Sequence, residues 1–324
     1  LQTRFPRLGK VRGIPASRPR RAGRLKTIDD DDLAGLEELL RVDNAAANPH
    51  FVFGYDPGDA GISGESIPLF VLSGKVFSGR VSAGNEGPMT AALLAAGADA
   101  NINHGTPLVM AASFNTLDMA KMLLDGGASV DGPHADGAPM AHAAQFGFLE
   151  MQSLFLEHGA RLDMRFAAAV GDVARIRSFV GGDGTLASGA GEYADPFTTG
   201  AFPGDPQRHQ VPRTPELILQ QSLYFACRSG RLEAAELLLQ LGADANGVVR
   251  GVSYDAPILQ HLVGFGGMAG KTVDRKERIE RCLVVAEFLL ERGADPTIRV
   301  NGKDAARHGA SKRIREFVES RAQR

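Results

Sequence analysis

One short pattern recurs five times in this 324-residue chain and limits what it can fold into. The pair Gly-Ala stands at Gly97-Ala98, Gly127-Ala128, Gly159-Ala160, Gly242-Ala243 and Gly293-Ala294. Three and four positions before each pair lie two large apolar residues: Leu93-Leu94, Leu123-Leu124, Phe155-Leu156, Leu238-Leu239 and Leu289-Leu290. The second and third copies are 32 residues apart, and so are Pro107 and Pro139. Self-similarity at a fixed period near 30 residues is the signature of stacked units, each too small to bury its apolar face alone. A single globular centre is therefore not expected.

One unit can be read residue by residue. Thr106-Pro107-Leu108 opens a helix: threonine can cap it, and proline suits a first turn that needs no donor. Ala111-Ala112 are small enough for two helices to approach. Asn115 occupies the place held by Gly147 in the next copy, a position suited to a left-handed C-cap. Residues 117–124 follow with apolar residues at spacing three and four, which predicts a second amphipathic helix. Gly126-Gly127 ends it, and Ala128 to Asp131 run into a turn.

Residues 105–131, 138–163, 223–246 and 281–296, in which these features align, resemble ankyrin repeats. The resemblance covers most of 65–320 and fades toward both ends. It implies an all-α solenoid of units about 33 residues long, each a β-turn and two antiparallel helices. It departs from the family at the histidine that usually follows Thr-Pro-Leu. The matching positions are Phe70, Val109, Ala141, Tyr224 and Leu259, so a less regular and less stable stack is expected. About nine residues are inserted between the helices of the unit at Pro68, and about sixteen in the unit at Pro257, counted from proline to Gly-Ala. The unit over 165–180 keeps its alanines and Gly171 but loses the Gly-Ala end. Residues 302–321 suit a C-terminal cap.

The expected organisation is a basic tail (1–26), a cap or degenerate unit with a loop (27–64), repeats (65–180), an insertion (181–213) and further repeats with the cap (214–324). The tail carries seven arginines, two lysines and no acid, which leaves 27 basic against 38 acidic side chains in the rest. It reads as a solvated arm, a targeting or nuclear import signal, or a salt-sensitive contact for nucleic acid. A transit peptide is expected to be serine-rich, and only Ser17 is present. Leu1 in place of methionine leaves a missing start open. The acidic run Asp29 to Asp32 suits the N-terminus of a helix over 27–42. In 181–213, seven glycines and four prolines leave two readings: a mobile loop, or an ordered flap pinned by Tyr193, Phe197 and Phe202.

No run of 18 apolar residues is present, which argues against a membrane-spanning helix. Two cysteines, Cys227 and Cys282, cannot build a disulfide scaffold for this length. Cys227 matches the small inner positions Ala112 and Ala144, which predicts a buried, inert thiol; Cys282 is expected to open a second helix. Residues 264–272 imitate a phosphate loop, but the first glycine of G-x-x-x-x-G-K-[ST] would fall on Phe265. A glycine loop leading into a charged helix, Arg275 to Arg281, is the preferred reading. The eight histidines are scattered; His104 and His134 alone lie near neighbouring turn tips. No G-x-S-x-G or HExxH is present. Neither catalysis nor a cofactor or metal is expected.

In the family the resemblance names, partners lie along the turn tips and exposed inner-helix ends. Transferred by position, that strip contains Asn103 and His104, Asp136, Ser113 and Phe114, Gln145 and Phe146, and Arg228. Phe114 and Phe146, 32 residues apart, are expected to face solvent. They then meet either a partner or one of the chain's own insertions, 74–87 or the long loop. The function implied is a non-enzymatic scaffold, a monomer in the cytoplasm, that binds another protein; the alternative is association with nucleic acid, or organelle targeting, through the tail.

Overall fold

A computed structural model of the chain describes residues 26–44, 47, 68–82, 84–193, 213–252, 254–265, 272–300 and 311–322. The helices come in pairs. After α1 (Leu33–Val42), the first unit holds α2 (Pro68–Phe77) and α3 (Glu86–Ala95), and the second α4 (Ile102–Phe114) and α5 (Leu117–Asp125). The third holds α6 (Ala138–Phe146) and α7 (Leu149–Glu157), and the fourth α8 (Met164–Val170) and α9 (Val173–Ser178). The fifth holds α10 (Pro215–Ser229) and α11 (Leu232–Gln240), the sixth α12 (Ile258–Phe265) and α13 (Arg275–Glu291), and α14 (Lys312–Ala322) follows. Two short antiparallel strands, β1 (Val248–Val249) and β2 (Ala256–Pro257), join the fifth unit to the sixth, with Val249 opposite Ala256.

First helices pack on first helices and second on second, in two layers: α2, α4, α6 in one row and α3, α5, α7 in the other, with α1 against α3. The insertion does not break the row, because α10 packs closely along α8 and also reaches α6. The buried apolar residues form one cluster from Ile28 to Val318. It lies between the layers, as stacking of like units requires.

The recurring Gly-Ala pattern has a clear physical role. In all five copies the first apolar residue (Leu93, Leu123, Phe155, Leu238, Leu289) is completely buried; of the second residues Leu124 is buried too, Leu94, Leu239 and Leu290 flank the core, and Leu156 is exposed. The glycine takes positive φ, from +81° to +103°. The alanine amide then donates back to the carbonyl of the buried residue: Ala98 to Leu93, Ala128 to Leu123, Ala160 to Phe155, Ala243 to Leu238 and Ala294 to Leu289, at 2.8 to 3.0 Å. This is the Schellman closure of a helix, which satisfies carbonyls left open at its end.

The sequence reading needs correction at several points. Residues 26–29 form a separate helical turn, the chain breaks at Asp31 with φ of 57°, and Asp32 is the N-cap of α1, its carboxylate accepting from the Gly35 amide at 2.8 Å, so the helix expected over 27–42 is interrupted at 30–32. Thr106 does not cap: its hydroxyl donates to the Asn103 carbonyl. Cys282 lies inside α13, because the charged segment from Arg275 continues into the second helix without a break. Asp274 caps that helix through the amides of Lys276 and Glu277. The tail through residue 25, the phosphate-loop imitation at 266–271, Phe197 and Phe202, His50, His209 and His308, and the start of the C-terminal cap lie outside the described residues.

Candidate partner-binding strip

The turn tips are built from left-handed backbone. Asn103, His104 and Gly105 have φ of 51°, 61° and 78° in succession, and α4 runs regularly only beyond them. In the next tip, Ala135 (55°) and Gly137 (71°) do the same. Such conformations cost non-glycine residues about 1 kcal/mol each, so neighbouring groups must hold them. In the first tip Asn103 donates its side-chain amide to the Thr106 hydroxyl at 3.2 Å. In the second, Asp136 accepts from the Ala138 amide at 3.0 Å, and the Gly137 amide bonds the Asp131 carbonyl at 2.8 Å. Arg161 ties the tip to the following unit through the Asp131 carboxylate and the Ala135 carbonyl.

Gly105 has a specific reason to be glycine: a Cβ there would sit 2.6 Å from Pro133 Cδ. The two tips therefore touch. His104 and His134 are both exposed, with Nδ1 of the first 2.7 Å from Nε2 of the second. Of the eight residues assigned to the strip, Asn103, His104 and Asp136 thus sit on paired tips.

The inner-helix residues divide. Ser113 is half-buried, donating to the Val109 carbonyl and lying 2.8 Å from His142 Nδ1. His142 is buried, and burial pushes its imidazole down to about 4. Phe146 is half-buried beside the rings of His142 (6.4 Å) and Phe148 (5.8 Å). Phe114 is half-buried against Phe77, with ring centroids 4.9 Å apart. Its carbonyl accepts from the Thr272 hydroxyl, and the Asn115 side chain donates to the Thr272 carbonyl at 2.9 Å. Cover for Phe114 thus comes from Phe77, at the near end of the 74–87 segment.

Gln145 and Arg228 must leave the exposed strip, because both are buried. The Arg228 guanidinium donates to the Gln145 carbonyl at 3.0 Å and lies over the Tyr224 ring. The cause is the short α8: with seven residues it lets α10 meet α6 directly. Gly147, the cap of α6, consequently approaches the Arg228 backbone so closely that a Cβ would lie 2.4 Å from the Arg228 carbonyl oxygen. Cys227 is buried too, and burial pushes its thiol up. The same holds for Cys282.

The start of the long insertion is an ordered flap in the described residues. Tyr193 stacks on Phe166 at 5.6 Å and packs over Gly137 at the second tip. Its amide donates to Asp163, and its carbonyl accepts from Arg165 and Arg213. Asp163 and Arg165 form a fully buried ion pair at 2.7 Å. Sequence reasoning named Tyr193 but not this pair, which has no local pattern to reveal it. A separate cleft of about 440 Å³ opens by the helix-to-helix turns, lined by Asn115, Phe148, Thr272, Arg278 and Arg281 among others. Burial, and then the nearby Arg228 and Arg281, pull the Arg278 guanidinium down to about 9.

Comparison with known proteins agrees with this architecture. A family model described as three copies of the ankyrin repeat matches residues 81–165, and a single-repeat model matches 220–247. No curated protein matches the chain. Among solved structures, the human ASB11 ankyrin repeat domain is 17% identical, over 94% of this chain and 98% of its own, with a TM-score of 0.38. The ankyrin repeat domain of Bcl-3, a unique member of the IkappaB protein family, is 16% identical over the same shares, also at 0.38. Ankyrin repeats generally mediate contacts between proteins and are typically non-enzymatic. Among the described residues no helix is long and apolar enough to cross a membrane. Residues 81–165 and 220–247 are thus ankyrin repeats by sequence, and their helix pairs stack in two layers.

Proposed function

We propose that this chain is a non-enzymatic scaffold that holds another protein along the strip formed by Asn103, His104, Asp136, Ser113, Phe114 and Phe146. The observation that carries this reading is the pair of touching tips, whose left-handed residues are held by hydrogen bonds within and between units. A surface fixed before binding loses little conformational freedom when a partner arrives, so fewer contacts suffice for a given affinity. Half-buried Phe146 is the apolar anchor of the strip, with the polar tips beside it as a rim. Gln145 and Arg228 support the wall from behind.

The test is proximity labelling in cells with the full chain, comparing the native protein with the variant His104→Ala/Phe146→Ser. Circular dichroism and thermal melting establish that the variant is folded. Loss of a discrete set of labelled neighbours at unchanged melting temperature supports the strip. An identical set of neighbours from both proteins overturns it.

A further inference from the structure

The two tips bring together a pair of imidazoles from different repeats. His104 Nδ1 and His134 Nε2 face each other at 2.7 Å, with ring centroids 4.9 Å apart and planes inclined by 31°. Both rings are exposed. Their backbones are fixed by the left-handed tip residues, by the Gly105–Pro133 approach, and by Arg161 on Asp131 and Ala135. Among the described residues, no group of three or more His, Cys, Asp or Glu gathers as a metal cage. Any ion held here would take two ligands from the protein and the rest from water.

Imidazole nitrogens bind first-row divalent metals at about 2.0–2.1 Å, so two of them on one ion stand about 2.9 Å apart at a right angle and about 3.3 Å apart at a tetrahedral angle. With the nitrogens 2.7 Å and the ring centroids 4.9 Å apart, the two rings point almost head-on, so both exposed rings must swing until their lone pairs converge on the ion. We propose that His104 and His134 form a two-imidazole site for a divalent first-row transition cation, Cu(II) or Ni(II), bridging the tips of adjacent repeats. The general affinity order of such metals for nitrogen ligands favours copper over zinc.

Without metal, one facing nitrogen carries the proton of the short contact and the other accepts it. On binding, that proton moves to the outer nitrogen of its own ring. Both facing nitrogens then offer a lone pair, and the rings stay neutral. The ion would lock two repeats at the strip itself, but its binding does not depend on whether a protein partner uses that strip.

The site is tested by titrating the full chain, free of any affinity tag, with Ni(II) in a non-chelating buffer by calorimetry. Cu(II) electron paramagnetic resonance gives a second readout. One micromolar site is expected, with a copper spectrum split by two nitrogens. His104→Ala and His134→Ala should each weaken binding at least tenfold, whereas His158→Ala, at an exposed histidine that closes α7, should leave it unchanged. An equal titration by the double variant His104→Ala/His134→Ala, or the absence of a stoichiometric site in the native chain, overturns the proposal.

Discussion

Replacing Gly147 with alanine separates the two reasons a repeat protein needs glycine. Gly127 and Gly147 both close helices with positive φ, +90° and +62°. Around Gly127 nothing lies within 4 Å of where a Cβ would be. Gly127→Ala therefore isolates the backbone cost, about 1 kcal/mol. At Gly147 the same methyl meets the Arg228 carbonyl oxygen at 2.4 Å, and that oxygen belongs to a helix backbone which cannot rotate away. An ordinary contact needs the ends of α6 and α10 to separate by about 1 Å, an overpacking cost of about 1–3 kcal/mol. The separation also stretches the Arg228–Gln145 and Gln152–Ser229 hydrogen bonds, both buried and about 3.0 Å long. Weakening buried hydrogen bonds adds about 1 kcal/mol. Gly147→Ala should thus cost about 3 kcal/mol or more, roughly three times the Gly127→Ala cost. Urea unfolding followed by circular dichroism measures both, with hydrogen exchange to localise the loss at α6 and α10. If the two variants lie within about 0.5 kcal/mol of each other, within the usual scatter of such comparisons, the close approach of α6 and α10 is wrong.

Three further outcomes are expected. Asp163→Ala leaves the Arg165 guanidinium buried without its carboxylate and removes an acceptor of the Tyr193 amide. It should cost about 3–5 kcal/mol and expose residues 181–193 to limited proteolysis; an unaltered cleavage pattern would refute the pinning of the flap. His142 is held neutral with its folded pKa depressed to about 4. The unfolded chain therefore binds the proton first, and stability present above about pH 6.5 should decline as pH falls toward 4, by about 3 kcal/mol in all. Comparison with His142→Asn across that range should show that share of the slope removed, leaving only the shallower decline due to carboxylates such as Asp31 and Asp295, whose hydrogen bonds together outweigh burial and lower their pKa values. Cys227 and Cys282, buried with raised thiol pKa values, should resist a thiol reagent in the native chain and react at once in urea; fast native labelling would contradict their placement.

The elements legible in the sequence are those whose cause is local. Leu93 and Gly97, or Leu238 and Gly242, belong to one helix end, so their spacing alone announces the closure that the structure contains. The tips at His104 and Asp136 were placed by position from the resemblance to the ankyrin repeat; their left-handed backbone had no local signal. Gln145 and Arg228 were misplaced because their burial depends on the length of a third element, α8, which no residue near either of them encodes. The Asp163–Arg165 pair lies two residues apart in sequence, yet its purpose is set by Tyr193, some thirty residues further on. Likewise nothing near Phe114 foretells Thr272, 158 positions away.

That last contact changes how the protein should come apart. An open row of repeats frays from its ends, since each unit feels only its neighbours. Here the segment entering α13 grips the end of α4, with three helix pairs between the two units in sequence. Peeling from the C-terminal side cannot pass α13 without prying Thr272 from Asn115. Bringing those ends together during folding closes a loop of more than 150 residues, an entropic cost met late and all at once. The array should accordingly behave less like a zipper opened tooth by tooth and more like a buckled belt.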